Sequence, residues 1–244
     1  MNDNLSIADA FANQFGSVYY NSGSDSKSKQ YFFNSFDKYV GNFSVDDVKN
    51  SFNIEVLDKY IRNLKPGKAC GPDELSAEHL QHARPIITKC IHKLFSVMMN
   101  YGLAPTEFGR GIVVPLVKDK TGDIHSANHY RPIMLVPIIS KLFEAVILEC
   151  YGNCFVVDDL KFGFKKGLSC NNANFTLRTT IDYFTRHGSS IYAAALDISK
   201  AFNTVQHYKL FKVLVRSGLP KCLVSILLSW YCNLEICVRW NMAL

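Results

Sequence analysis

The chain has 244 residues, of which 48% are hydrophobic and 13% aromatic, and it carries a formal net charge of +6. A chain of this length and apolar content can bury the core of one large domain or two small ones, which excludes a disordered tail. The positive charge suits a protein that binds a polyanion. Many basic proteins bind no nucleic acid, however, so charge alone does not establish nucleic-acid binding.

Targeting signals are not recognisable in the sequence. The first twenty residues contain two acidic residues and neither a basic segment nor an uninterrupted apolar core, unlike a secretory signal. The longest apolar run, Cys222 to Trp230, is far shorter than the roughly 20 residues of a membrane-spanning helix. The eight cysteines form no CxxC pair, which indicates buried apolar side chains in a reducing compartment. We therefore expect an intracellular protein, nuclear or cytoplasmic, that does not enter a membrane.

Apolar periodicity predicts helices along most of the chain. The first covers residues 5–20, and a Ser/Gly-rich linker from Asn21 onward indicates that it is an appendage. Ser44 is a candidate N-cap for a helix that continues to Pro66. Further helices are predicted for Pro85 to Tyr101, Ser140 to Ile147, Asn172 to Phe184, Lys200 to Gly218 and Leu223 to Trp230. In the helix from Asn172, the side chains expected to point inward are Phe175, Leu177, Ile181 and Phe184.

Four segments have strand character. GIVVPLV from Gly111 and RPIMLVPII from Arg131 are short β-rich runs, and Pro115 predicts an edge or bulged position for the first. A third run, Leu234 to Trp240, alternates like a strand. The fourth, Ile191 to Ile198, is nearly all apolar until Asp197 and is predicted to be a buried strand that leads directly into a helix.

An acidic residue at the end of a buried strand has a possible chemical use. Nucleotidyl transfer by two metal ions needs carboxylates at a rigid edge, which hold Mg²⁺ between a hydroxyl and a triphosphate. Asp197 is placed to begin such a site, and Lys118 and Arg131, on either side of one polar loop, are placed to offset the triphosphate charge. Taken singly, each also has an ordinary explanation as a capping residue or a solvated loop charge.

Five sequence blocks follow one another across roughly residues 54–240: LKPGKACGPDELSAEHL, GLAPTEFGRGIVVPLVKDK, NHYRPIMLVPIISKLFE, LKFGFKKGLSCNNA and AALDISKAFNTVQHYKLFKVL. In order and spacing, these blocks resemble the LINE-type (non-LTR, jockey-like) retrotransposon reverse transcriptases. The last block is similar to motif A of that family, and SWYCNLEICVRW is similar to the segment before its motif B.

This resemblance implies an α+β fold of the right-hand polymerase type, with the fingers and the start of the palm, truncated before the full palm and thumb. It divides the chain into an N-terminal extension with a helix and a Ser-rich linker (1–53), a fingers region (54–190) and the start of the palm with motif A (191–244). The implied partners are an RNA template, a DNA primer and a deoxynucleoside triphosphate.

The resemblance also assigns roles to individual residues. Asp197 would be the first metal-binding carboxylate, and the Ile198 carbonyl would add an oxygen ligand for Mg²⁺. Four residues would contact or adjoin the incoming nucleotide: Lys118, Arg131, Lys200 and Phe202. Of these, Phe202 would be the steric gate against a ribose 2′-hydroxyl. Gly163 and Gly167 would let the backbone approach template or nucleotide, unless they form a plain turn.

Two departures from the family pattern predict a lack of activity in this chain alone. The QG segment of motif B and the Asp-Asp pair of motif C are missing, and one carboxylate cannot hold two metal ions. In addition, Asn203 and Phe108 stand where the family usually has Asp and Trp. The expected function is therefore that of a fragment of an RNA-directed DNA polymerase, whose ancestral role was RNA-templated DNA synthesis.

Two other interpretations stay open. One is a non-catalytic nucleic-acid-binding module, whose phosphate-contacting surface would consist of Lys65, Lys68, Lys118, Arg131, Lys165 and Lys166. The other is a different reverse transcriptase lineage, such as a group II intron maturase, which fits the first and third blocks less closely.

Overall fold

The computed structural model describes the residues 3–20, 34, 36, 52–118, 125–155, 158–165, 167–198, 201, 205–241 and 243. They belong to two compact units. The first unit combines Met1–Cys154 with Phe202–Leu244, and the second is Phe155–Ala201. The domain boundaries expected after residues 53 and 190 stay predictions.

Helices and strands alternate in blocks, so the fold is of the mixed α+β kind. The described helices are α1 (Asn4–Tyr20), α2 (Ile54–Arg62), α3 (Ala77–His82), α4 (Ile86–Tyr101), α5 (Ile138–Tyr151), α6 (Cys170–Arg186), α7 (His207–Arg216) and α8 (Lys221–Cys232). The described strands are β1 (Arg110–Val117), β2 (Tyr130–Leu135) and β3 (Glu235–Val238). Single 3₁₀ turns lie at Thr106–Gly109, Ala127–His129 and Gly152–Cys154.

Local capping explains where several helices begin and end. The Asn53 side chain accepts a hydrogen bond from the backbone N–H of Glu55 and starts α2, whereas the predicted cap Ser44 lies outside the described residues. Gly102, at φ 66°, ends α4 as the periodicity predicted. The prediction that Ser140 caps α5 is wrong, since Pro137 takes that position and the buried Ser140 hydroxyl donates to the Pro137 carbonyl at 2.7 Å.

The three described strands form one sheet in the order β2-β1-β3, with β1 antiparallel to β2 and parallel to β3. The prediction that Pro115 puts β1 at an edge is wrong, because β1 is the central strand. The physical reason is how far the pairing with β3 extends along β1. β3 pairs with β1 over Arg110–Val113, and the Arg239 N–H adds one bond to the Val113 carbonyl at 2.9 Å. The next donor would be Pro115, which has no N–H, so the parallel ladder stops there.

A second layer of the first unit is helical, with α2, α4, α5 and α8 packed around an aromatic centre. The Phe95 and Phe143 rings meet edge to face at 4.9 Å between centroids. Phe108 packs against Phe143 at 6.1 Å and against Trp230 at 5.3 Å between ring centroids, so it takes part in this aromatic centre.

The N-terminal helix α1 lies against the sheet. Phe11 and Phe15 are buried in one cluster with Val113, Tyr130 and Val238, which supply one face of all three strands. The interpretation of this helix as an appendage is therefore wrong. The Ser/Gly-rich composition after residue 20 concerns the connection alone and says nothing about where the helix packs.

Two glycines allow distant blocks of the first unit to touch. A Cβ atom on Gly71 would lie 2.5 Å from the Val136 carbonyl carbon, and one on Gly109 would lie 2.1 Å from the Asn233 carbonyl oxygen. Both distances are below any real contact of a Cβ atom with backbone. The GKACGPD turn thus packs on the end of β2, and the start of β1 packs on the segment before β3.

In the second unit, the prediction of a buried strand at Ile191 to Ile198 is wrong. These residues have no regular secondary structure, and every one of them is exposed. A strand needs a hydrogen-bonded neighbour, and the described residues of this unit provide none. Helix α6 is present, but none of its residues is buried, and Phe175 is 72% exposed. The inward face predicted for α6 is therefore also wrong.

The described residues bear on the expected burial of the cysteines and on membrane-spanning helices. Cys222 is buried and Cys70 and Cys154 are half-buried, but the other five cysteines are exposed, so their expected burial is wrong for most of them. Among the helices that the structure describes, none has both the length and the apolar content needed to cross a bilayer.

Candidate functional site

The candidate site begins at the loop end of the β1–β2 hairpin, where β1 ends at Val117 and β2 begins at Tyr130. Arg131 on β2 lies directly opposite Leu116 on β1, and Lys118 continues the ladder because its N–H donates to the His129 carbonyl at 2.8 Å. Opposed residues share a face, and so do residues two apart along one strand. Lys118 and Arg131 therefore lie on the same face of the hairpin, as close neighbours.

The opposite face of the hairpin is the one that α1 covers. Val113 and Tyr130, whose side chains point that way, are buried against Phe11. The face with Lys118 and Arg131 is exposed at this end, and Leu116 is 51% exposed there. One side of the hairpin thus serves packing, and the other presents two cations to solvent.

The Lys118 ammonium is held in place by the loop that connects the strands. Its Nζ donates to the Asn128 carbonyl oxygen at 2.6 Å. Neither Lys118 nor Arg131 forms an ion pair with any residue that the structure describes. Among the described residues no carboxylate neutralises either charge, so both can act on an anionic ligand, and neighbouring cations suit a polyphosphate.

The other predicted site residues fall elsewhere. Asp197 and Ile198 belong to the second unit, where both are exposed in an irregular segment, with Ile198 73% exposed. Lys200 and Phe202 lie outside the described residues. The structure thus brings Lys118 and Arg131 together within the first unit, and the roles of all six residues stay predictions.

A magnesium ion would find suitable donors at Asp197, but too few. The carboxylate of Asp197 and the carbonyl of Ile198 are the hard oxygen ligands that Mg²⁺ takes. In the part of the chain that is described, no three His, Cys, Asp or Glu side chains cluster as metal ligands would. These donors therefore fit one edge of an Mg²⁺ shell and do not make the two-metal site that nucleotidyl transfer uses.

In the KFGFKKG loop of the second unit, the Lys165 ammonium bonds to polar groups just before the loop. The Lys165 ammonium contacts the Asp158 carbonyl at 3.3 Å and the Asp159 carboxylate at 3.5 Å. Gly167 has φ +80°, and a Cβ on Gly163 would meet no atom within 4 Å. Gly167 is needed for this turn, and Gly163 meets no close neighbour in this unit. Lys166 lies outside the described residues.

Sequence reasoning missed a charged cluster that joins α2 to α4. The Asp58 carboxylate accepts hydrogen bonds from Arg84 at 2.7 and 3.0 Å, from Arg62 at 2.9 Å and from the Thr88 hydroxyl at 3.2 Å. The hydrogen bonds from Arg84 and then Arg62 lower the pKa of Asp58 from 3.8 to about 2. The Asp58–Arg62 spacing of four residues is readable in the sequence, but the contacts with Arg84 and Thr88 depend on packing.

Another missed contact closes the KPGKACGPD loop. The Gly67 N–H donates to the Glu78 carboxylate at 2.7 Å, which lowers the pKa of Glu78. His79 completes a capping box with Ser76 at the start of α3. These contacts hold the KPGKACGPD loop against the start of α3.

Comparison with known proteins assigns the chain to a protein family. Residues 117–243, which are 127 of the 244 in the chain, match the family model described as reverse transcriptase (RNA-dependent DNA polymerase). The match starts at the end of β1 and includes Lys118, Arg131 and Asp197. The chain belongs to the reverse transcriptase family.

Its similarity to individual proteins is more specific. It is 28% identical over 199 residues, 78% of this chain, to the probable RNA-directed DNA polymerase from transposon X-element of Drosophila melanogaster. It is 25% identical over 154 residues, 62% of this chain, to a Pol polyprotein from the type-1 retrotransposable element R2 of Nasonia vitripennis. A 149 kDa protein of transposon TX1 from Xenopus laevis is 22% identical over 200 residues, 81% of this chain.

These relatives come from non-LTR retrotransposons, which confirms the LINE-type resemblance of the sequence blocks. The aligned part is 21% of the length of the X-element protein, 14% of the R2 protein and 15% of the TX1 protein. The chain thus spans about one fifth or less of the relatives it matches.

Proposed function

We propose that this chain forms the fingers and the first part of the palm of an RNA-directed DNA polymerase from a non-LTR retrotransposon. The observation that carries the proposal is the pair of exposed cations, Lys118 and Arg131, on one face of the β1–β2 hairpin inside the family-matched segment. Their task is to neutralise the triphosphate of the incoming nucleotide, because phosphoryl and nucleotidyl transfer depend mainly on positioning and charge stabilisation.

The remaining roles follow from motif A. Asp197, with the Ile198 carbonyl, is the first Mg²⁺ ligand, and Lys200 and Phe202 adjoin the nucleotide, with Phe202 as the gate against a 2′-hydroxyl. Further carboxylates have to complete the metal shell. We place them outside the described residues, in the longer polymerase that an RNA template and a DNA primer would occupy.

Primer extension tests this function. The full chain, with an RNA template, a DNA primer, Mg²⁺ and deoxynucleoside triphosphates, is compared with a version extended by family-type motif B and C segments. We expect extension only from the longer version, and its loss in Asp197→Ala of that version. Asp182→Ala, which removes a half-exposed carboxylate from α6, is the matched control and should leave extension unchanged.

Two results would contradict the proposal. If Asp197→Ala of the extended version stays active, Asp197 does not hold the metal. If Lys118→Ala and Arg131→Ala leave the KM for the nucleotide unchanged, the hairpin does not contact the triphosphate, since a lost phosphate contact should raise this KM roughly tenfold or more.

A further inference from the structure

The N-terminal helix reaches the loop that holds Lys118. The Gln14 side-chain amide on α1 donates to the Asn128 Oδ1 atom at 2.9 Å. The carbonyl oxygen of the same Asn128 accepts the Lys118 ammonium at 2.6 Å. One residue of the loop therefore joins α1 to the cation, through its side chain on one side and its backbone on the other.

The surroundings of Asn128 are fixed by α1 as well. Asn128 lies in the 3₁₀ turn Ala127–His129, and Ala127 packs against the cluster that contains Phe11. Tyr130, which follows this turn, meets Phe11 edge to face at 4.8 Å. The turn is thus held by apolar contacts on both sides of Asn128, and the hydrogen bond from Gln14 fixes the residue between them.

We propose that Gln14 is a positioning residue for Lys118 and acts through Asn128. A lysine side chain has large rotamer freedom, and restraining it before the ligand arrives reduces the entropy lost on binding. Gln14 keeps Asn128 in the orientation that points the Asn128 backbone carbonyl at the Lys118 ammonium. The ammonium is thereby held at the exposed face beside Arg131. This inference rests on the proposed function for its ligand, the triphosphate group, while the restraint itself is a property of the folded chain.

The test measures how fast individual lysines of the full chain are acetylated by an amine-reactive ester, with peptide mass spectrometry as the readout. We expect Gln14→Ala to raise the rate at Lys118 roughly threefold or more, as loss of a hydrogen bond would. The rate at Lys93, an exposed lysine of α4, should stay constant. Asn128→Ala, which keeps the backbone carbonyl but removes Oδ1, should raise the rate at Lys118 by the same factor.

The double variant separates positioning from general loosening of α1. If Gln14 acts through Asn128, Gln14→Ala adds nothing in the Asn128→Ala background, because the shared contact is already gone. Asn13→Ala changes an exposed neighbour on the same helix and should leave Lys118 unchanged. An equal rate at Lys118 in the wild type and Gln14→Ala overturns the proposal, and so does an equal rise in Asn13→Ala.

A second arm, with inorganic triphosphate present, tests the proposed function separately. Triphosphate should protect Lys118 from acetylation in the wild type, and about threefold more of it should be needed for the same protection in Gln14→Ala. Protection with the same concentration dependence in both proteins leaves the triphosphate site standing and overturns the role of Gln14 in ligand binding. No protection, with the rate difference between the two proteins retained, overturns the triphosphate site and leaves the restraint by Gln14.

Discussion

At the scale of single residues, Asp58 holds two helices together through its carboxylate. Arg62 belongs to its own helix α2, whereas Arg84 and Thr88 come from the start of α4 and the turn before it. The Asp58 side chain is only 18% exposed, so its partners replace much of the water that it has lost. Losing the negative charge would leave Arg84 partly buried without its counter-charge.

We expect Asp58→Asn to lower the free energy of unfolding by about 1.5–3 kcal/mol, the range for hydrogen bonds to charged groups. The measurement is urea unfolding at pH 7, followed by circular dichroism. Asp182→Asn, at the loose 4.0 Å ion pair with Arg178 on α6, is the control and should change stability by less than about 0.5 kcal/mol. Equal loss in the two variants would contradict the role given to Asp58.

The same carboxylate predicts a pH dependence. The pKa of Asp58 is about 2 in the folded chain, below its ordinary 3.8, so the folded state favours the charged form. Its contribution is therefore complete above about pH 4 and is lost as the pH falls through about 2. Asp58→Asn should lack this component, so the stability difference between wild type and variant should shrink as the pH falls from about 4 to about 2.

At the scale of elements, α1 decides how the cationic hairpin is supported. Its Phe11 ring stacks on Phe15 at 5.7 Å and contacts Trp240 at 5.1 Å, and the same cluster contains Val113 of the central strand. The helix thus closes one face of the sheet, and the two cations lie on the other. Stability of the hairpin and presentation of the candidate site depend on the same element.

Removal of the Phe11 ring should show this dependence. We expect Phe11→Ala to lower the free energy of unfolding by about 3–5 kcal/mol, the usual effect of deleting a buried phenyl ring. Leu5→Ala, on the same helix at a side chain that is 51% exposed, should change it by less than about 0.5 kcal/mol. Tryptophan fluorescence during urea unfolding is the measurement, since Trp240 touches Phe11. A similarly small change in the free energy of unfolding for both variants would mean that α1 is an appendage.

At the scale of the whole molecule, the net charge of +6 becomes informative only once the cations are placed. Lys118 and Arg131 are exposed together on the hairpin, whereas Lys165 is engaged by Asp158 and Asp159 in its own loop. Lys118 and Arg131 can therefore contact a phosphate backbone, whereas the charge of Lys165 is partly neutralised within its own loop. This difference bears on both the polymerase and the alternative of a non-catalytic nucleic-acid-binding module.

Binding of a labelled RNA–DNA hybrid should weaken steeply with salt, because each neutralised phosphate releases counterions. Measured by fluorescence anisotropy between about 50 and 200 mM KCl, the slope of log K against log salt should become shallower by about 1 in Arg131→Ala. Lys165→Ala is the control and should leave the slope nearly unchanged. An affinity that does not vary with salt would exclude both nucleic-acid functions for this surface.

Sequence alone determined most of the helices, the strand character of β1 and β2 with a cation on either side of their loop, and the reverse transcriptase family. Helical periodicity and the Gly102 cap act over a few residues, so they can be read along the chain. The family is visible because several blocks keep their order.

Tertiary structure decided the features that depend on distant partners. Pro115 lies in a central strand because β3, more than a hundred residues later, pairs with β1 only up to Val113. The irregular, exposed segment around Asp197 shows the converse, since an apolar run becomes a buried strand only where another strand pairs with it. The packing of α1 and the partners of Asp58 are likewise absent from local patterns, because burial is a property of two surfaces that meet and not of either one alone.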